Sequence, residues 1–203
     1  MSKTIYTIGH SNHPIEYFLE LLQSQSINCL VDVRSTPASS YNPQFNQVPL
    51  SAFLKNNGIT YLHFKEEFGA RQEEESVLDN EGKVHFGFVQ KSSAFQRGVE
   101  RIDMGIEKGF TIALMCSEGN PLDCHRFSMV ALYFENIDIQ VQHILKDKTL
   151  KTHQELEQDL LKKYAKKLPQ PSLFEPDIDE TAQIKAAYRL HNQDIAWQID
   201  RTV

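Results

Sequence analysis

Short apolar segments alternate with amphipathic segments along most of the chain. The apolar segments are rich in Ile, Leu and Val, which is typical of strands, and the amphipathic segments repeat apolar residues at the spacing of a helical turn. The pattern predicts five strands, over Thr4–Ile8, Ile27–Val33, Ile59–Phe64, Phe110–Met115 and Ile139–Leu145. It predicts six helices, over Ile15–Gln25, Leu50–Asn56, Ala94–Lys108, Pro121–Phe134, His153–Lys167 and Thr181–Ile199.

Strands that alternate with helices predict parallel pairing through right-handed crossovers. We therefore expect an α/β fold, a three-layer sandwich with a mostly parallel central sheet. Residues 1–168 are predicted to form a single α/β domain. Pro169 and Pro171 then interrupt the pattern, and residues 169–203 are predicted to form a helical C-terminal extension packed on that domain. The segment Lys65–Gln90 is predicted to be a long loop.

The composition is that of an ordinary globular protein, with 40% hydrophobic residues and a net charge of −6. This acidic balance argues against a nucleic-acid partner, because a nucleic-acid interface needs a basic surface. No apolar run approaches the ~20 residues that cross a bilayer, and the N-terminus does not resemble a signal peptide, so we expect a cytoplasmic protein with no membrane partner. Three cysteines, an odd number, favour reduced thiols over a disulfide framework.

The densest group of reactive residue types lies between the strand Phe110–Met115 and the following predicted helix. Asn120 and Pro121 are the residue types favoured at the N-cap and the first helical position. Free backbone N–H groups at such a helix start favour an anion. The group contains two thiols, a carboxylate, an imidazole and a guanidinium, those of Cys116, Cys124, Glu118, His125 and Arg126.

Two other strand ends carry polar groups. His10 and Ser11 follow the first predicted strand, and Arg34 and Ser35 follow the second. The carboxyl ends of parallel strands lie at one edge of a sheet, where α/β proteins bind ligands. We therefore expect these residues to share a pocket with the thiols. Asp32 is expected to form a salt bridge with a neighbouring arginine, because a buried carboxylate needs a partner.

Residue chemistry suggests a role for each candidate. A helix start lowers the pKa of a thiol in its first turn, where Cys124 is predicted to lie. Cys116, at the end of the strand that faces this helix start, is the candidate nucleophile. His10 and His125 are the candidate catalytic groups that move protons. A guanidinium can hold an oxyanion through two parallel hydrogen bonds. The candidate anion-binding or substrate-binding residues are Ser11, Arg34, Ser35, Glu118, Cys124 and Arg126.

Several motifs occur in order: Thr7-Ile8-Gly9-His10-Ser11, Val31-Asp32-Val33-Arg34-Ser35 with Pro37, Gly58-Ile59 with Tyr61, Cys116 and Glu118 with Pro121, Cys124-His125-Arg126, and His143-Ile144. With these motifs the chain resembles the domain-of-unknown-function 488 family of bacterial and archaeal proteins, over roughly residues 4–145. The family usually has a Gly-Gly pair after the third strand, where this chain has Gly69-Ala70. The resemblance implies an α/β fold and a shared site at these motifs, and it implies no reaction.

Three functions remain open from the sequence. The first is a thiol-dependent enzyme that acts on a small anionic or nucleotide-like substrate. The second is a metal-binding protein that uses Cys116, Glu118, Cys124 and a histidine, since zinc and iron accept such ligands. Against it, the adjacent side chains of Cys124 and His125 would point apart on a helix. The third is a non-catalytic module that binds a ligand or a nucleic acid.

The sequence identifies no cofactor. It also leaves the oligomeric state open, because the last predicted helix has an apolar face that could pack against a second copy of the chain. The residues of this candidate homodimer face are Ile184, Ala187, Tyr188 and Ile195.

Overall fold

A computed structural model describes residues 3–171 and 178–199 of the protein. Its strands are β1 (Thr4–Gly9), β2 (Cys29–Asp32), β3 (Thr60–His63), β4 (Ile112–Cys116), β5 (Gln140–Ile144) and β6 (Leu150–Thr152). They form one sheet in the order β3-β2-β4-β1-β5-β6. The first five strands pair in parallel, and β6 pairs antiparallel with β5. The predicted α/β fold with a mostly parallel sheet is confirmed.

Helices connect the strands and follow the sheet. The α-helices in the described part of the chain are α1 (Ile15–Gln23), α2 (Gln47–Asn56), α3 (Lys65–Phe68), α4 (Phe86–Val89), α5 (Ser93–Glu107), α6 (Leu132–Glu135), α7 (His153–Tyr164) and α8 (Glu180–Ile195). The region that was expected to be a long loop, Lys65–Gln90, therefore contains α3 and α4. Strand β6 has no counterpart in the sequence prediction, because only three residues form it.

Both faces of the sheet are buried, because successive side chains of a strand point to opposite faces. Leu30 packs with Phe18 of α1 and Leu54 of α2 on one face. Its neighbour Val31 packs with Phe95 of α5 on the other face. Helices on both sides of the sheet give the three-layer sandwich that the sequence predicts.

The last helix packs within the chain. Ala186 and Ala187 of α8 are buried in a cluster that contains Leu156 and Leu160 of α7. The helix ends at Ile195, four residues earlier than predicted, and the next residues are extended. Part of the candidate homodimer face is thus used inside the chain, and the homodimer stays a prediction. Residues 172–177 and 200–203 of the predicted extension lie outside the described residues.

The helix that the sequence predicts over Pro121–Phe134 is not continuous. A 3₁₀ turn, Pro121–Asp123, precedes Cys124, which is extended with φ −140° and ψ 140°, and a π-helix, Arg126–Ala131, then leads into α6. Asn120 caps the turn as predicted, by accepting a hydrogen bond of 3.2 Å from the backbone N–H two residues on. Because the chain is extended at Cys124, the side chains of Cys124 and His125 do not point apart as adjacent side chains on a helix do.

Within residues 3–171 and 178–199, none of the helices combines the length and the apolar character that crossing a bilayer requires.

Candidate functional site

The loop after β4 is fixed against the end of β1. The N–H of His10 donates to the carbonyl oxygen of Cys116 at 3.0 Å, and a second bond of 2.8 Å joins the next residue of each segment. Gly9 is required at this contact, because a Cβ there would lie 1.9 Å from the carbonyl oxygen of Glu118. The hydrogen bonds therefore extend the pairing of β1 and β4 past the strands and position the first cysteine.

Arg34 lies at the end of β2 with most of its donors occupied. Its Nε and Nη2 donate to the carboxylate of Asp32 at 2.9 and 2.6 Å, and its Nη1 donates to Nε2 of His10 at 3.1 Å. Nη2 also donates to the carbonyl oxygen of Phe45 at 2.8 Å. These bonds use four of the five N–H groups of a guanidinium, so one N–H of Nη1 remains. The salt bridge that was predicted for Asp32 is confirmed.

Hydrogen bonds of His10 define its tautomer. Nδ1 lies 2.7 Å from the carbonyl oxygen of Ser11, which can only accept, so Nδ1 carries the proton and Nε2 accepts from Arg34. The ring stacks on Phe45 with centroids 4.3 Å apart. Burial and the positive charge of Arg34 lower the pKa of His10 to about 4, although the hydrogen bond to Ser11 opposes them. His10 is therefore neutral at pH 7 and connects Arg34 to the loop after β1.

Two thiols and an imidazole converge at the end of β4. The sulfur atoms of Cys116 and Cys124 lie 3.9 and 3.7 Å from Nδ1 of His125, and the three atoms are all within 4.8 Å of one another. Nε2 of His125 lies 3.2 Å from the carbonyl oxygen of Val33 and 3.1 Å from that of Phe68. Because both carbonyls accept, Nε2 carries the proton, and the lone pair of Nδ1 faces both sulfurs.

Of the two buried thiols, Cys124 is the more acidic. Burial by itself would raise the pKa of this thiol, but the hydrogen bond from Cys116 and the positive charge of Arg126 outweigh burial and lower the pKa well below its ordinary value. The hydrogen bond to Cys124, together with burial, raises the pKa of Cys116 well above its ordinary value. Burial opposes the charged form of His125, but the adjacent thiolate outweighs burial and raises the pKa of this imidazole.

Arg126 is completely buried beneath the loop after β4. Its Nη1 and Nη2 donate to the carbonyl oxygens of Glu118 and Gly119 at 2.6 and 3.1 Å, while its Nε has no partner among the described residues. Arg126 thus holds the loop in place, and its contact with an anion stays a prediction. Burial and the negative charge of Cys124 raise the pKa of the Glu118 carboxyl.

Two cavities adjoin the thiols. One, of about 140 Å³, contains Cys116 and is otherwise lined by Arg34, Ser35, Thr36, Ala70, Arg71, Ser117, Glu118 and His125. The other, of about 210 Å³, contains Cys124 and is otherwise lined by Ala70, Arg71, Glu118, Asp123, His125, Ile195 and Trp197. Four residues line both cavities, so each thiol has a space beside it that shares these walls: Ala70, Arg71, Glu118 and His125.

The structure brings most of the predicted site residues to this edge of the sheet. Ser35 lines the first cavity, and its hydroxyl accepts a hydrogen bond of 2.8 Å from the N–H of Arg71. Ser11 lies outside the two cavities as the structure describes them, and its hydroxyl is 3.4 Å from Oδ1 of Asn12. The substrate contacts of Ser11 and Ser35 stay predictions.

Several residues of the site were not among the sequence candidates, among them Arg71, Phe45 and Trp197. Arg71 follows a glycine turn after β3, and this pattern could have indicated it. Phe45 contributes a backbone carbonyl and a stacking ring, for which a sequence has no specific signal. Trp197 comes from the segment after α8, where the N–H of Val84 donates to its carbonyl oxygen at 2.9 Å.

The fold and the site define an α/β protein with a buried centre of two thiols, an imidazole and arginines at the carboxyl edge of its sheet. The family model described as Domain of unknown function DUF488 matches residues 14–133, more than half of the chain. The chain belongs to this family, which confirms the resemblance found in the sequence. No curated protein and no solved structure matches the chain.

Proposed function

We propose that this protein is a thiol-dependent enzyme that acts on a small anionic or nucleotide-like substrate. One observation carries the proposal: Cys116 lines the same cavity as Arg34 and Arg71, and its sulfur lies 3.9 Å from Nδ1 of the oriented imidazole of His125. A nucleophile, an adjacent base and cationic groups around the reacting atom are the components that nucleophilic catalysis requires.

The arginines would hold the anion. Arg34 lines the cavity and is held rigidly by hydrogen bonds to Asp32, His10 and Phe45. One N–H of its Nη1 is left to donate to a substrate. A donor that is already fixed before the substrate arrives needs no reorganisation in the transition state. His10 acts as a positioning residue for Arg34, because the hydrogen bonds occupy both of its nitrogens. The exposed Arg71 completes the anion site from the other side.

His125 would take the proton of the attacking thiol. Its Nδ1 is 3.9 Å from the sulfur of Cys116, and the carbonyl oxygens of Val33 and Phe68 fix the ring in the tautomer that accepts at Nδ1. The Cys116 sulfur forms a bond to the electrophilic atom of the substrate, and the leaving group departs with its electron pair. The imidazolium then returns the proton to the leaving group. Cys124 lies beside both groups and provides a second acceptor for the proton.

The test is the capture of a covalent adduct. Reduced protein is incubated with a panel of small anionic electrophiles, such as acyl phosphates, sulfate esters and thiosulfonates, and the mass of the intact protein is measured. We expect an adduct that maps to Cys116, is lost in Cys116→Ser and is retained in Cys29→Ala, which removes a buried thiol of β2. Adducts that persist in Cys116→Ser overturn the proposal. Anion binding with no adduct across the panel also overturns it and supports a non-catalytic binding module.

A further inference from the structure

We infer that Cys116, Cys124 and His125 also form a binding site for a zinc-class divalent cation, with one coordination position open to the cavities. The inference goes beyond the proposed function and does not depend on it, because a cation can bind here whether or not the thiol attacks a substrate. The sulfur and nitrogen donors are the types that zinc prefers over the oxygen donors of magnesium or calcium sites.

The distances fit a tetrahedral cation. With Zn–S bonds of about 2.3 Å and Zn–N bonds of about 2.0 Å, a tetrahedral angle separates the sulfur and nitrogen ligand atoms by about 3.5 Å. Nδ1 of His125 lies 3.7 Å from one sulfur and 3.9 Å from the other, and the three donor atoms are within 4.8 Å of one another. The same geometry separates the two sulfurs by about 3.8 Å, so shifts of at most about 1 Å suffice for all three atoms to coordinate one ion.

The surroundings of His125 also match those of a metal ligand. A histidine that binds a metal through one nitrogen donates the N–H of the other nitrogen to a carbonyl or carboxylate, which sets the tautomer. Here Nε2 donates to the carbonyl oxygens of Val33, directly after β2, and of Phe68, the last residue of α3. Nδ1 is thereby directed at the two sulfurs with its lone pair free to coordinate.

The local backbone removes the objection that the sequence raises against a metal. Side chains of adjacent residues would point apart on a continuous helix, but Cys124 is extended and the π-helix begins only at Arg126. Neighbouring side chains can therefore converge on one ion. The N–H of Arg126, 3.4 Å from the sulfur of Cys124, stabilises this ligand as a thiolate.

Three protein ligands leave one tetrahedral position, which is the pattern of open zinc sites, whereas structural sites have four protein ligands. The cavities beside Cys116 and Cys124 give that position access to water or a small anion near Glu118. A bound cation would also engage the sulfur lone pairs, so the metal-free protein is the form in which Cys116 can attack a substrate.

Titration of the full-length, reduced, metal-free protein with Zn²⁺ and with Co²⁺ tests this inference. We expect one equivalent to bind, and Co²⁺ to produce a sulfur-to-cobalt charge-transfer band with the strong visible bands of a tetrahedral site. Removing one ligand, as in Cys124→Ser or His125→Gln, is expected to weaken Zn²⁺ binding by at least about 100-fold. The Cys29→Ala control should bind Zn²⁺ like the wild type.

Far less than one equivalent of bound Zn²⁺, or a cobalt spectrum without a sulfur band, overturns the inference. The cobalt spectrum of the wild type decides the question even where a variant does not fold. If the protein binds no Zn²⁺ but Cys116 is reactive, the metal site is contradicted and the proposed enzyme function still stands. Stoichiometric binding with an unreactive Cys116 in the metal-free protein supports the metal site and contradicts the enzyme.

Discussion

Arg34 donates a hydrogen bond of 3.1 Å to His10 across the end of a strand that lies between them. His10 follows β1 and Arg34 follows β2, and β4 separates these two strands in the sheet. The bond therefore spans the end of β4, the strand that ends at Cys116. Three segments that are distant in the sequence are joined at one point, and this arrangement places a cationic group beside the thiol.

Replacing Arg34 with methionine is expected to destabilise the protein strongly. Asp32 would keep the hydrogen bond of 2.7 Å from Tyr61 but would lose its cationic partner while completely buried. Breaking a buried ion pair on one side typically costs about 3–5 kcal/mol. The measurement is the free energy of unfolding in urea for Arg34→Met and the wild type.

The matched control for this prediction is Lys148→Met, which breaks an exposed ion pair with Glu20. An exposed pair contributes about 0–1 kcal/mol, so this variant should be nearly as stable as the wild type. Equal losses of stability in Arg34→Met and Lys148→Met would show that Asp32 does not depend on Arg34.

Gly9→Ala is expected to displace the loop after β4. The added Cβ would lie 1.9 Å from the carbonyl oxygen of Glu118, and a backbone atom cannot move aside without shifting the loop. Overpacking of this kind costs about 1–3 kcal/mol. Urea unfolding measures this cost, and the rate of alkylation of Cys116 reports the displaced loop.

Gly105→Ala provides the comparison, because its Cβ would meet only the flexible end of Ile112 at 2.9 Å. An alanine also stabilises a helix relative to glycine by about 0.5–1 kcal/mol, so this variant should be neutral or slightly more stable. A Gly9→Ala protein as stable as Gly105→Ala, with unchanged reactivity of Cys116, would contradict the close contact.

Much of the fold can be predicted from the sequence, because buried parallel strands and amphipathic helices leave distinct periodic patterns. The five parallel strands follow from those patterns, and so does the position of His10, Arg34 and Cys116 at one edge of the sheet, since parallel strands end there. The salt bridge of Asp32 also follows, because a buried carboxylate needs a cation.

The details of the site could not be predicted in the same way. The break at Cys124 depends on tertiary contacts, because a helix would have been the local preference after Asn120 and Pro121. Arg126 uses its side chain to hold backbone carbonyls, and the sequence does not distinguish this role from anion binding. Trp197 reaches the second cavity through contacts between distant segments, which no local pattern records.

A buried hydrogen-bond chain links the sheet to the last two helices. The Thr7 hydroxyl lies 2.8 Å from His143, His143 lies 3.3 Å from His153, and His153 lies 2.8 Å from the hydroxyl of Tyr188, which donates to Glu157 at 3.0 Å. Each member can donate to the next only if both imidazoles are neutral. Burial lowers the pKa of His153 to about 3.

The protein is therefore expected to lose stability as the pH falls. The folded-state pKa of His153 lies below the unfolded value of 6.5, so the unfolded chain binds the proton first between pH 6.5 and about 3. The stability is fully present above pH 6.5 and is lost as the pH falls toward 3. In His153→Gln, the dependence of unfolding free energy on pH should be shallower by up to about 1.4 kcal/mol per pH unit. Identical slopes for the variant and the wild type would contradict a neutral, buried His153.

The central claim is that the thiol of Cys116 is reactive and that Cys116 shares its cavity with cationic groups. The most direct measurement is the alkylation rate of each cysteine, in reduced and metal-free protein, with anionic iodoacetate and with neutral iodoacetamide. Mass spectrometry of the peptides resolves Cys116 and Cys124 from the buried Cys29. Arg71→Gln removes one charge from the cavity, and Arg97→Gln removes the same charge from an exposed position of α5.

We predict that Cys116 reacts at least about ten-fold faster than Cys29. Cys116 lines a cavity and lies beside His125, which can take its proton during the attack, whereas burial in β2 raises the pKa of Cys29 to about 11. We also predict that the preference of Cys116 for iodoacetate over iodoacetamide decreases in Arg71→Gln and is unchanged in Arg97→Gln. A Cys116 that reacts no faster than Cys29, with the same preference in both arginine variants, would contradict the account.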